Sequence, residues 1–386
     1  MSQSLATIVG GAAAGLIMVV LVIGFLWFCM VRCKKFSNRN SETGSSDPSA
    51  LVEWNRGGGS TSARGHPLSG PQGVTLFNLE DLEQATNKFN DSSLIGEGSF
   101  GLVYKGLLLD GTVVAVKRRL SAPQRAFVEE VHYLSQIWHR NLVTLLGYCE
   151  EDGFQMLVFE YLPNGSVSDH LYGKNSTTKL EFKRRLSIAL AAAKGLCHLH
   201  CLNPPLVHKN FKTSNVLVDE NFIAKVADAG VLKLLDRTND AIPSSLTSGG
   251  STFQDPEFGG MGIVSQRMDV YSFGVFLLEI VSGEEASKIN LTGSGENLKQ
   301  RVKSGVASNN IVDRRLAESF TLEGMKDLIS LTLQCLSIDG EAAGLPNMNM
   351  IVSELDKILA REMTWKTVMG EGTATFTLGS QLFTTG

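Results

Sequence analysis

Residues 94–106 read LIGEGSFGLVYKG, and GTVVAVK follows at 111–117. Gly96, Gly98 and Gly101 are spaced as G-x-G-x-x-G, a weak signal alone, because in a dinucleotide-binding unit the same spacing opens a helix. Here the glycines run into Leu102-Val103-Tyr104, which favours a strand, so a hairpin over phosphates is predicted. Glycine is needed there because backbone N–H groups must approach phosphate with no Cβ in the way. GTVVAVK is β-branched and strand-like, with Lys117 at its end. Such a lysine can hold phosphates if a carboxylate fixes it. Glu130, on the helical pattern AFVEEVHYLSQI (126–137), is the candidate.

Outward from this stretch, QMLVFEY (155–161) reads as a buried strand. LEFKRRLSIALAAAKGLCHLH (180–200) and DVYSFGVFLLEIVSG (269–283) read as helices, the second apolar nearly all round and therefore buried. Strands first and helices later make an α+β chain with a β-rich lobe followed by an α-rich one. The net charge of −4 and pI near 6.0 provide no field for nucleic acid. Six scattered cysteines are too few for a disulfide scaffold and fit a reducing compartment. Cys197-His-Leu-His-Cys201 looks like a metal cluster, but it falls inside the long helical pattern and is read as part of that helix.

Residues 8–31 carry no charge. At about 1.5 Å per residue a helix over them spans about 36 Å, enough for a hydrocarbon core of about 30 Å. Arg32, Lys34 and Lys35 follow directly, which places residues 1–7 outside and the remainder in the cytosol. Gly11 and Gly15 fit a small-xxx-small contact between two such helices, or are ordinary small residues of one helix. Cys29 and Cys33 are either palmitoylation sites at the inner boundary or inert thiols. Residues 32–74, rich in Ser, Gly, Asn and Arg, are expected to form a disordered juxtamembrane linker. Residues 75–360 are expected to fold as one domain, and 361–386 to trail as a loose tail.

Together with the glycine stretch, LFNLEDLEQATNKFNDSSLIGEGSFGLVYKG, HRNLVTLLGYCEE, LVFEYLPNGSV, KTSNVLVDE and DVYSFGV resemble the plant receptor-like protein kinases related to interleukin-receptor-associated kinases. The resemblance covers roughly 75–360, about three-quarters of the chain. It implies a bilobal protein kinase fold, preceded here by a single transmembrane helix. It further implies a cleft for ATP and Mg²⁺. Val103 and Ala115 would roof the adenine and Leu217 would floor it. Glu160 to Leu162 would form the hinge, with Phe159 as gatekeeper. Asn215 and Asp228 would hold metal, and Asp269 would buttress the catalytic loop.

Residues 206–219, LVHKNFKTSNVLVD, depart from the family's pattern. In H-R-D-x-x-x-x-N the aspartate accepts the substrate hydroxyl proton. Here that position is Asn210, with Lys212 and Asn215 in register. An amide has no useful basicity, and a positioned base contributes about 10²–10⁴-fold. Lys209 replaces an arginine and cannot make its bidentate fork. Asp228-Ala-Gly230 lacks the family's phenylalanine, so Ala229 leaves a void unless neighbours fill it. Ser251-Thr-Phe-Gln-Asp-Pro-Glu-Phe258 is shortened before D-P-E, and Leu345 stands where Glu257 usually finds an arginine.

The departures fall on proton transfer, phospho-regulation and peptide positioning, while Gly96, Gly98, Gly101, Lys117, Glu130, Asn215 and Asp228 are kept. The expectation is a plasma-membrane, single-pass pseudokinase. It would bind ATP and signal by contact with protein partners, among them other membrane receptor kinases. The alternative is a weakly active Ser/Thr kinase that uses Lys212 and two Mg²⁺ ions.

Overall fold

The computed structural model describes residues 74–119, 126–173, 180–232, 234, 265–289, 298–307, 311–316, 319–337 and 346–368. Contacts divide the chain into residues 1–64 and 65–386, and every described residue lies in the second unit. The expected membrane helix 8–31, the Gly11–Gly15 contact, Cys29, Cys33 and the linker up to residue 73 lie outside the described residues. So do segment 251–258, Glu257 and Leu345. Among the described residues, no helix is long and apolar enough to cross a membrane.

Six strands make the first lobe: β1 (Thr75–Leu76), β2 (Leu94–Glu97), β3 (Gly101–Leu107), β4 (Val113–Arg119), β5 (Leu145–Glu151) and β6 (Phe154–Glu160), in the order β1-β5-β6-β4-β3-β2. β2 to β6 pair antiparallel, and β1 adds to the edge of β5 in parallel. The period of two decides the faces: Val114 and Val116 are fully buried, while Ala115 and Lys117 point to the opposite side. β6, hydrogen-bonded on both edges, is buried from Gln155 to Phe159. The edge pairing of β1 depends on Gly147, because a Cβ there would sit 2.2 Å from the Thr75 carbonyl oxygen and 2.4 Å from the Phe77 ring.

Helix α1 (Leu79–Ala85) packs Leu82 beneath the sheet, beside Val114, Val116 and Met156. Helix α2 (Phe127–Ser135) presents Phe127, Val131 and Leu134 on one face, and these join Tyr148, Leu157 and Phe159 in a single cluster.

The second lobe holds α3 (Val167–Tyr172), α4 (Phe182–His200), the hairpin β7 (Val216–Val218) and β8 (Ala224–Val226), α5 (Gln266–Ser282), α6 (Leu298–Ala307), α7 (Leu322–Cys335) and α8 (Met348–Val368). As its apolar circumference predicts, α5 is buried from Asp269 to Val281 without interruption. Buried Arg185 of α4 donates from each of its three nitrogens, to the Leu180 and Ile280 carbonyls (3.0 and 2.8 Å) and to Asp313. Without such partners, a buried guanidinium would be strongly destabilising.

The first residues of the expected tail, from Arg361, are helical, and residues 369–386 lie outside the described residues. α8 continues to Val368, and Glu362 is fully buried, where it accepts hydrogen bonds from the Thr321 N–H (3.1 Å) and hydroxyl at the start of α7.

Candidate nucleotide cleft and catalytic loop

The glycine stretch is a hairpin, as its sequence predicts. Gly98 N–H donates to Gly101 O (2.9 Å) and Gly101 N–H to Gly98 O (3.2 Å), which leaves Ser99 and Phe100 at the tip. Gly101 has a φ of 146°, a value closed to side-chain-bearing residues. Phe100 does not stand out in solvent. It is buried against Phe127 of α2, with ring centroids 6.4 Å apart.

Between the lobes lies a cavity of about 310 Å³. Gly96, Gly98, Val103, Ala115, Lys117, Glu160, Leu162, Asn215, Leu217 and Asp228 all line it. Gly101, Glu130, Asn210 and Lys212 do not. Val143, Asp169, Ser214 and Ala227 also line it and were not singled out from sequence. Asp169 left one legible sign: Ser166 and Asp169 make a capping box at the start of α3, just past the hinge. Glu160 is anchored on both sides, accepting from Thr144 N–H (2.7 Å) and Lys225 Nζ (2.6 Å).

The catalytic loop is held from below by α5. Asp269 accepts from the N–H groups of His208 (2.8 Å) and Lys209 (3.0 Å), and its Oδ2 also lies 2.8 Å from His200 Nε2. His208 Nε2 lies 2.8 Å from the Ala227 carbonyl, which can only accept, so Nε2 donates. That leaves Nδ1 to accept the Asn210 N–H at 3.3 Å. Asn215 Nδ2 donates to the Asn210 carbonyl (2.8 Å), and Ala227 N–H to the Asn215 carbonyl (2.7 Å). Thr213 donates to buried Glu279. The backbone that would present a base is therefore fully built, with an amide where a carboxylate would act.

The ion pair differs from the one expected. Lys117 donates to Asp228, not to Glu130, and its ammonium lies 5.4 Å from the centre of the Phe159 ring. Glu130 is buried on α2. Burial alone would raise the Asp228 pKa, but the Lys117 ammonium bonded to it holds it below the usual carboxylate value. Asp228 and Lys209 both adopt left-handed φ of 65°.

The void anticipated at Ala229 is filled from downstream. Val231 and Leu234, both buried, join Phe100, Phe127, Val131 and Leu134 beneath α2. Ala229 packs on the core of the second lobe. Gly230 permits this turn: its φ is 73°, and a Cβ there would lie 2.5 Å from Leu134 Cδ2.

The apolar end suits a planar base, with Val103 and Ala115 on one side and Leu217 on the other. At the polar end Asp228 is paired with Lys117, while the Asn215 amide donates through Nδ2 to the catalytic loop, so its Oδ1, the atom that would ligate a cation, is not the one engaged there.

A hairpin of glycines, a strand lysine, an interlobe cavity and a loop buttressed from a buried helix define a protein kinase domain. Residues 89–339 match the protein tyrosine and serine/threonine kinase family, to which the chain belongs. It is 37% identical over 305 residues to a probable leucine-rich repeat receptor-like protein kinase of Arabidopsis thaliana, covering 76% of this chain and 32% of that one. It is 32% identical over 359 residues to wall-associated receptor kinase 5 of the same plant, covering 91% and 47%. It therefore spans less than half of either relative. The probable serine/threonine-protein kinase PBL28 of Arabidopsis thaliana is 35% identical over 301 residues, covering 74% of this chain and 80% of that one. Among solved structures, the pseudokinase domain of BIR2, an immune regulator of the RLK/Pelle family, matches with a TM-score of 0.63 and 29% identity, covering 77% and 90%. A second pseudokinase, in apo form, matches at 0.56 and 26% identity, covering 75% and 98%. Domains of this family generally bind ATP with Mg²⁺.

Proposed function

We propose that this chain is a receptor-like pseudokinase that keeps a nucleotide pocket but has lost efficient phosphoryl transfer. It signals by contact with protein partners, among them other membrane receptor kinases. Residues 8–31 would anchor it in the plasma membrane with the kinase-like domain on the cytoplasmic side, and Gly11 and Gly15 offer a helix–helix contact there. The observation that carries the reading is Asn210. Its backbone is bonded as a catalytic loop requires, yet its side chain has no proton-accepting carboxylate. A positioned base is worth about 10²–10⁴-fold in rate, and that factor is removed. Lys209 at the neighbouring position and the engaged Asp228 weaken two further parts of the apparatus. The pseudokinase neighbours support the same reading.

The retained Lys212, Asn215 and Asp228 favour the second reading, a weakly active Ser/Thr kinase. Phosphotransfer from radiolabelled ATP with Mg²⁺ by the detergent-solubilised full chain separates the two. The expected result is incorporation no greater than that of Lys117→Ala. Incorporation that exceeds this control and disappears on Lys117→Ala would establish the weak kinase instead.

A further inference from the structure

The tip of the glycine hairpin is tied to α2. Phe100, at that tip, is 3% exposed and lies in one cluster with Phe127, Val131 and Leu134 of α2, Tyr148 of β5, and Val231 and Leu234 beyond Asp228. Its ring stacks on Phe127 with 27° between the planes, and the Arg119 guanidinium at the end of β4 lies 5.9 Å from its centre. Phe127 is held edge-on in turn by Tyr148, with ring centroids 6.1 Å apart. Ala229 brings no ring to this space, because it packs on the second lobe. Aromatic pairs in such geometries attract beyond the area they bury.

Held in this way, the hairpin closes the transfer end of the cleft. Gly96, Glu97 and Gly98 line the cavity just before the tip. A Cβ on Gly98 would lie 3.9 Å from Asp228 Oδ2, which is van der Waals contact. The gap between hairpin and carboxylate is too narrow for a phosphate group. A polyphosphate therefore needs the hairpin to rise. Phe100 is two residues from Gly98, so that rise draws its ring out of the cluster and exposes apolar surface to water. Gly98 and Gly101, on either side of the tip, allow the movement.

Resting on the nucleotide-pocket reading, we propose that Phe100 is a latch that holds the glycine hairpin shut against α2, so that nucleotide binds only those molecules whose hairpin has risen. The observed affinity is the intrinsic affinity reduced by the fraction of risen hairpins. Half of the latch belongs to α2. A protein partner that shifts α2 therefore changes nucleotide occupancy without touching the cleft, and bound nucleotide changes the affinity for that partner by the same factor.

The test is calorimetric titration of the detergent-solubilised full chain with ATP and Mg²⁺, repeated on Phe100→Ala and Phe127→Leu. The first deletes the latch ring. The second keeps α2 apolar but removes the ring on which Phe100 stacks. Thermal melting establishes that each variant is folded, and either one alone decides the question. Phe100→Ala is expected to bind ATP about tenfold or more tightly than the natural chain, with Phe127→Leu between them. In stopped-flow mixing, the association rate of the natural chain should level off at high ATP, where opening of the hairpin limits it, and that ceiling should rise in Phe100→Ala. Affinity no tighter than natural in the folded variants would overturn the latch and leave the nucleotide pocket standing. Absence of heat for all three proteins would remove the pocket reading and the latch together.

Discussion

The two ends of the cleft have diverged. At the base-binding end, Val103, Ala115 and Leu217 sit on strands whose alternation and pairing fix which side faces the cavity, and every residue expected there lines it. At the transfer end the backbone is equally well fixed, but the side chains are arranged otherwise than the sequence suggests: Lys117 pairs with Asp228, Phe100 packs on Phe127, and Asn210 stands where a base would act. The contrast separates two things that a fold supplies. Shape is delivered by packing and hydrogen bonding that tolerate many sequences. Chemistry depends on single atoms that the same packing does not protect.

The comparison breaks most visibly if the shared scaffold is removed. Asp269 is fully buried and accepts from two backbone N–H groups of the catalytic loop, with His200 beside it. In Asp269→Ala those donors are left unpaired inside the protein. The expected loss is about 3–5 kcal/mol, the scale for removing one member of a buried charged network. Thermal melting of the detergent-solubilised chain would register it. A melting temperature unchanged from the natural protein would show that the loop does not hang on α5.

A sharper test acts on the transfer end alone. Lys117→Met leaves Asp228 buried with its ion-pair partner gone, at an expected cost of about 1–3 kcal/mol at pH 7. The pH dependence has a definite sign. In the natural chain the folded pKa of Asp228 is depressed, so its stabilisation is present above the unfolded carboxylate value. It is lost as pH falls through the folded value. In the variant, burial is the leading influence and raises the folded pKa, so protonation relieves the penalty. The gap between the two proteins should be widest near neutral pH, begin to close as pH falls through the variant's raised value above about 4, and go on closing below about 4 as the natural chain loses its own stabilisation. A gap that stays constant over that range would mean that Asp228 is not the group responsible.

Much of this was legible from sequence, and the misses share one cause. The hairpin of glycines, the Lys117 strand and the long helices α4 and α5 follow from periodicities of two and 3.6 carried by neighbouring residues. The partner of Lys117 could not be read this way, because Asp228 is 111 positions away. The choice between it and Glu130 depends on how α2 is packed. That packing involves Val231 and Leu234, which look unremarkable as letters and yet occupy the space beneath the helix. Glu362 falls in the stretch expected to be a loose tail for the same reason. Beside Arg361 it resembles a solvated charge, but it is buried against Thr321, 41 residues earlier. Gly147 is likewise a small residue in a strand until Phe77 and Thr75 are brought onto it.

The smallest expected effect lies at the base-binding end and tests whether that end is as self-sufficient as its packing suggests. Ser166 accepts the Asp169 N–H (3.2 Å), while the Asp169 carboxylate accepts the Ser166 N–H (3.2 Å), closing the box that starts α3. Ser166→Ala removes one half of this exchange. Losses at such caps are typically about 1 kcal/mol. Asp169 lines the cavity, yet the surfaces that would contact a base come from β3, β4 and β7. Melting temperature should therefore fall slightly while ATP affinity changes by less than about threefold, which corresponds to less than about 0.7 kcal/mol. If affinity fell by tenfold or more, the start of α3 would have to be counted as part of the binding surface. The boundary between the retained shape and the altered chemistry would then run through the hinge, not between the two ends.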